Sequence, residues 1–165
     1  GGHGAWPSTF MVSAAPMTTI VNELLRGFEA NGYRAAILLS GHYPNRNQYL
    51  DAAVHAYHEA GGRMRVLAII ENQVPGVAGD HAAKYETSSM LHLHPETVDL
   101  ARLHTDASGA PTPDDQPHNW MDEAYRGHPC YGLVGFDPRG AASAEIGRAN
   151  TATLIAFLTE WLAAG

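Results

Sequence analysis

The sequence predicts an α/β fold in three layers, with helices on both faces of a mainly parallel sheet. Two observations carry this. A continuous apolar run within Arg34 to Ser40 (Ala35-Ala36-Ile37-Leu38-Leu39) and a second apolar run from Met64 to Ile70 read as strands buried on both faces, the pattern of parallel sheets. Each run follows a stretch of helical periodicity through a short connection, and alternating helix and strand with short links demands parallel strands joined by right-handed crossovers.

The elements follow in order. Between Met17 and Ala30, Ile20, Val21, Leu24, Leu25 and Phe28 recur on one helical face, and Asn31-Gly32 forms a C-cap pair. The first strand ends at Ser40, and a polar loop runs from Gly41 to Asn47. Leu50, Ala53, Val54 and Tyr57 then return to helical spacing until Gly61-Gly62 stops them, and the second strand follows. Residues Ala107 to His128 are rich in Pro, Asp, Gly and Ser and read as a long surface loop or lid. A last strand over Cys130 to Val134 and a helix from about Ala142 to Leu162 complete a single expected domain, residues 1–165.

Composition narrows the function classes. With 165 residues and 45% hydrophobic content, one core is expected. A net charge of -7 with no basic stripe disfavours nucleic acid and anionic membrane surfaces as partners. The single Cys130 has no partner for an internal disulfide, and no apolar run approaches a membrane span or a signal peptide, so a cytoplasmic location is expected. The chain opens Gly1-Gly2-His3-Gly4 without an initiator methionine, as a processed product, a cloning remnant or a piece of a longer reading frame would.

In parallel sheets of this kind the site lies at the carboxyl ends of the strands. The loop carrying His42 follows the first predicted strand, and Glu71 to Asp80 follows the second, so both clusters are expected on one rim. His42, and the pair His81 and Glu86 five positions apart, offer the imidazole and carboxylate that Zn or Mn sites take, with a further group to move protons. Metal-assisted hydrolysis is the chemistry these residues indicate. His55 and His58 read as a solvent-facing helical pair and Cys130 as an inert buried thiol. Neither glycine-rich stretch, at residues 1–4 or 76–79, has the setting of a phosphate loop, and Ser40-Gly41-His42 lacks that of a nucleophile elbow.

In this order the motifs resemble the creatininase (creatinine amidohydrolase) family of metal-dependent amidohydrolases. The stretches that carry the resemblance are Trp6-Pro7-Ser8-Thr9, Ser40-Gly41-His42-Tyr43-Pro44-Asn45, Gly79-Asp80-His81, Glu86-Thr87-Ser88, Asp137-Pro138 and Ala144-Glu145-Ile146-Gly147-Arg148. The resemblance implies a site for two divalent metals, usually Zn and Mn, with His42 and Glu86 as ligands and His81 as the catalytic proton-transfer group. Tyr43, Val77 and Asp80 are expected around a small amide substrate, and a homo-oligomer, commonly a hexamer, is implied.

Two departures from the family pattern stand out. Pro44 takes the place of a metal-shell glutamate in creatininase, and Val77 that of a tryptophan over the substrate, which weakens creatinine itself as substrate. A Glu-x-His pair and an Asp that supply further ligands precede, in the family, the stretch where this chain starts. Two readings therefore stand: a hydrolase of C-N amide bonds (cyclic amide, formamide or peptide-like), or a catalytically silent fragment or binding scaffold. Two ligands for two metals lead to the expectation that this chain by itself binds metal weakly and hydrolyses no amide.

Overall fold

The computed structural model describes residues 10–103, 116–128 and 130–164. The Trp6-Pro7-Ser8-Thr9 stretch and residues 107–115 of the expected lid lie outside them. The class is α/β, and the residues gather into two compact units, Gly1–Val74 with Leu158–Gly165, and Pro75–Phe157.

The first unit holds α1 (Ala14–Ala30), β1 (Ala35–Ser40), α2 (Asp51–Glu59) and β2 (Arg65–Ile70). β1 and β2 pair in parallel, Ala35 opposite Arg65 through Ser40 opposite Ile70. α1 closes as its sequence requires, with Asn31 as C-cap and Gly32 at a φ of 85°, where a side chain would be strained. Val21 and Leu25 of α1 meet Leu50, Ala53, Tyr57 and Met64 in one buried cluster.

Tyr57 organises that cluster. Its hydroxyl donates to Glu29 Oε2 at 2.7 Å and accepts from the Met64 N–H at 3.0 Å, so the end of α1, α2 and the entry to β2 are joined through one buried ring. Gly61-Gly62 does more than stop a helix. A Cβ on Gly62 would fall 2.3 Å from the Tyr57 ring, so glycine is the residue that lets the chain pass beneath it. The helix before β2 also starts earlier than its apolar spacing predicts: a π-helical turn, Arg46–Leu50, runs directly into α2.

The second unit holds α3 (Lys84–Leu93), β3 (His118–Asn119), β4 (Val134–Gly135), α4 (Pro138–Ala141) and α5 (Ala144–Ala163), whose last residues, from Leu158, belong to the first unit. The strand expected over Cys130 to Val134 needs correction. Residues 130–132 form turns, and only Val134–Gly135 is strand, antiparallel to β3. Its physical reason is Gly132 at a φ of 101°: the chain turns there, and Gly132 and Leu133 pair with Trp120 instead of extending. Val134 also bridges His81 on its other side, N–H to carbonyl in both directions at 2.8 and 2.9 Å. Within the expected lid, the described residues carry β3 and a 3₁₀ turn at Glu123–Tyr125.

α3 and α5 touch at Ser88 and Gly147. Ser88 is fully buried, and its hydroxyl donates to the Lys84 carbonyl and accepts from the Ser143 N–H. A Cβ on Gly147 would lie 2.0 Å from the Ser88 carbonyl oxygen, so the two helices cross with backbone against backbone. No flexible tip is available to yield there. Gly147→Ala is therefore expected to destabilise the protein by about 3 kcal/mol, the upper part of the range for overpacking. Urea unfolding followed by circular dichroism reads that loss, and an unchanged midpoint would disprove the close crossing.

Candidate active site

Each unit holds one loop of candidate residues. In the first unit, the Ser40 hydroxyl donates to the His42 carbonyl at 3.1 Å and accepts from the His42 N–H at 3.1 Å and the Asn45 side-chain amide at 3.0 Å. Asn45 N–H closes back on the His42 carbonyl. One hydroxyl thus gathers the loop at the carboxyl end of β1 and holds His42 and Tyr43 there, both half-buried. Because Ser40 lies opposite Ile70, the Glu71–Gln73 turn leaves β2 at the same rim, and the Arg46 guanidinium donates to the Gln73 side chain across it.

Glu71 is the residue that sequence reasoning passed over at this rim. One of its carboxylate oxygens is buried without a hydrogen-bond partner among the described residues. A buried acceptor of this kind is costly until a cation or an N–H donor meets it. Its signal in the sequence is a carboxylate placed directly after an apolar strand.

In the second unit, Asp80 builds the site. It is buried, and its two carboxylate oxygens accept the Tyr85 N–H at 2.7 Å and the Glu86 N–H at 3.1 Å, two of the donors that the first turn of α3 leaves open. Burial raises the Asp80 pKa above its ordinary value, while the N–H groups of Tyr85, Glu86 and Ala83 act the other way. Ala82 is held at a φ of 50°, a left-handed conformation costing a non-glycine residue about 1 kcal/mol. Its N–H donates to Glu86 Oε2 at 2.7 Å. Asp80, His81 and Glu86 are thereby brought onto one helix start. Val77 lies buried on the preceding loop, where the Asn150 side chain of α5 donates to the Ala78 carbonyl at 2.8 Å. On the far side, a Cβ on Gly135 would come within 2.9 Å of the Asp80 carboxylate, so glycine lets β4 approach the cap.

Glu86 and Ala82 open onto a cleft of about 430 Å3 on the exposed side of α3. His42 and Glu86 are donors of the type that a Zn or Mn ion takes. Among the described residues no three His, Cys, Asp or Glu side chains converge as a metal site, so a metal at either residue needs donors beyond these. No helix among the described residues is long and apolar enough to cross a membrane.

Comparison with known proteins gives a consistent picture. The family model Creatininase, described as creatinine amidohydrolase, matches residues 1–162. The creatinine amidohydrolase of Pseudomonas putida is 31% identical over 122 residues, 62% of this chain and 47% of that protein. A solved structure of creatinine amidohydrolase (creatininase) superposes with a TM-score of 0.68 at 24% identity, covering 96% of this chain and 66% of that one. For a putative creatinine amidohydrolase from Bacteroides fragilis the TM-score is 0.67 at 19% identity, over 95% and 64% of the two chains. A creatininase variant described as Zn-Zn type gives 0.67 at 24% identity, over 96% and 66%. These structures share the fold, and the chain spans about half the length of the curated relative it matches.

Cys130 supplies a check on the packing behind this site. It is fully buried, its thiol donates to Asp137 Oδ2 at 3.4 Å, and Asp137 is paired with Arg139 at 2.6 Å. Burial first, then the Asp137 charge, push the thiol from 9.0 up to about 11. The folded state therefore holds this proton more tightly than the unfolded chain. That contribution to stability is whole below about pH 9 and is lost as pH rises towards 11. Iodoacetamide at pH 8 is expected to label Cys130 in denaturant and to leave the folded protein unlabelled over the same time, as read by mass spectrometry. Rapid labelling of the folded protein would disprove the assignment.

Proposed function

The chain belongs to the creatininase family, and from that premise we propose that the whole protein is a divalent-metal-dependent amidohydrolase that cleaves a C-N bond of a small amide. The observation that carries this reading is the Asp80-capped turn, which sets His81 and Glu86 together at the start of α3 with Glu86 facing an open cleft. His42 and Glu86 are proposed as metal ligands, and Zn, Mn or both as the ions. The Zn-Zn description of a related structure supports that choice. A bound ion would supply Lewis acidity and lower the pKa of water.

The protein's own residues do the rest. Water adds to the amide carbonyl carbon, the C-N bond breaks, and the leaving nitrogen needs a proton. His81 is proposed to deliver it, because two backbone hydrogen bonds to Val134 fix its main chain in the turn that leads into α3. Tyr43 and Val77 are proposed to border the substrate. Asp80 is proposed to act there by fixing His81 and Glu86. A homo-oligomer belongs to the same reading, supported by Ile20, Leu24 and Phe28, which lie exposed one turn apart on α1.

Two outcomes test this. His42→Ala and Glu86→Gln in the whole protein should each lower bound metal measured by atomic emission, and unchanged content in both sinks the ligand assignment. His81→Ala should keep its metal and lose turnover by roughly 10²–10⁴-fold on whichever cyclic amide, formamide or dipeptide the wild type cleaves. Loss of metal in that variant would make His81 a ligand.

A further inference from the structure

The cleft at Glu86 is far larger than a metal ion at that carboxylate requires. Its volume of about 430 Å3 falls in the ~300–1,000 Å3 range of small-molecule sites. Most of its wall is hydrocarbon. Glu86 and Met90 stand four residues apart on α3 and share a face, so a carboxylate and a thioether line the same cleft. Opposite them, the turns at Pro95–Thr97 and Leu100–Arg102 bring in Val98 and Leu100, and Leu133 closes the end next to β4.

Two of the polar groups that line the cleft build its walls, and Thr87 and Arg102 line it beside Glu86. Asp99 accepts the Ala101 N–H at 3.1 Å and holds the second turn, and Thr97 donates its hydroxyl to the His94 carbonyl at 2.7 Å. Met90 remains 39% exposed on this face. Water against Met90, Val98, Leu100 and Leu133 finds few partners, and hydrocarbon displaces it favourably there.

The geometry points to a subsite for an apolar substituent. The substrate is then an amide carrying a branched aliphatic or aromatic group, with its polar end at Glu86 and Ala82 and its hydrocarbon between Met90, Val98, Leu100 and Leu133. The reaction in this inference rests on the amidohydrolase reading; the preference rests on the cleft alone. A substrate as small as acetamide would leave most of the volume unfilled.

Binding and turnover can be read separately. Acetamide, isovaleramide and phenylacetamide are titrated into the protein carrying 13C-methyl methionine, without added metal, with the Met90 signal assigned through Met90→Leu. The same amides are then assayed on the whole protein with Zn or Mn present. The Met90 signal is expected to move with isovaleramide and phenylacetamide at concentrations where acetamide leaves it in place. Val98→Trp and Thr97→Trp, two independent ways to fill the cleft, should each remove that response. With metal, kcat/KM should rise at least about tenfold from acetamide to isovaleramide, the scale on which an apolar pocket discriminates. Preferential binding with no turnover of any amide keeps the subsite and sinks the hydrolase reading. An equal response of Met90 to all three amides, or turnover without preference, overturns the subsite.

Discussion

The candidate site depends on one buried carboxylate doing the work of a helix cap. A helix start leaves N–H groups without intrahelical acceptors, and Asp80 answers two of them with two oxygens. That fixes the direction in which α3 leaves the turn. His81 is then held by Val134, Ala82 is driven into the left-handed region, and Glu86 is folded back onto the Ala82 N–H. Gly135 belongs to the same device, because a side chain there would strike the cap. Asparagine at position 80 could offer only one acceptor oxygen and would leave one of the two N–H groups bare.

The cap has an electrostatic cost, and its sign can be followed. Burial raises the Asp80 pKa, so the folded state holds this proton more tightly than the unfolded chain does. The contribution favours folding below the ordinary carboxylate range and is withdrawn as pH rises through the folded value. The ionised form is nevertheless supported by the backbone N–H groups that it caps, which act against burial. Stability at this point is traded for a fixed geometry between two functional side chains.

How much of this was legible depends on whether the signal was local. The two parallel strands were plain, since apolar runs between helical stretches have few other uses, and β1 and β2 occupy nearly the predicted spans. The caps at Asn31-Gly32 and the stop at Gly61-Gly62 were equally visible. The strand expected from Cys130 failed because the apolar character of that segment serves a turn packed on Trp120, a contact whose partner lies outside any short window. Asp80 was identified as a site residue, but its capping geometry was hidden, because the residues between cap and helix include one at positive φ that no pattern announces. Ser88 and Gly147 stood out as motif residues; the reason they matter is the distance between two backbones, which a sequence does not display.

The same contrast explains the donors. Chemistry-bearing residues at strand ends and helix starts can be picked out one at a time, and His42, His81 and Glu86 were. Whether three of them meet is a property of the tertiary structure, and among the described residues they do not form such a group. Glu71 fits into this gap. One of its carboxylate oxygens is buried without a donor among the described residues, on the rim that His42 shares, where buried acceptors ordinarily have a partner. That oxygen is an acceptor open to a donor outside the described residues, at the carboxyl edge where sheets of this class bind their ligands.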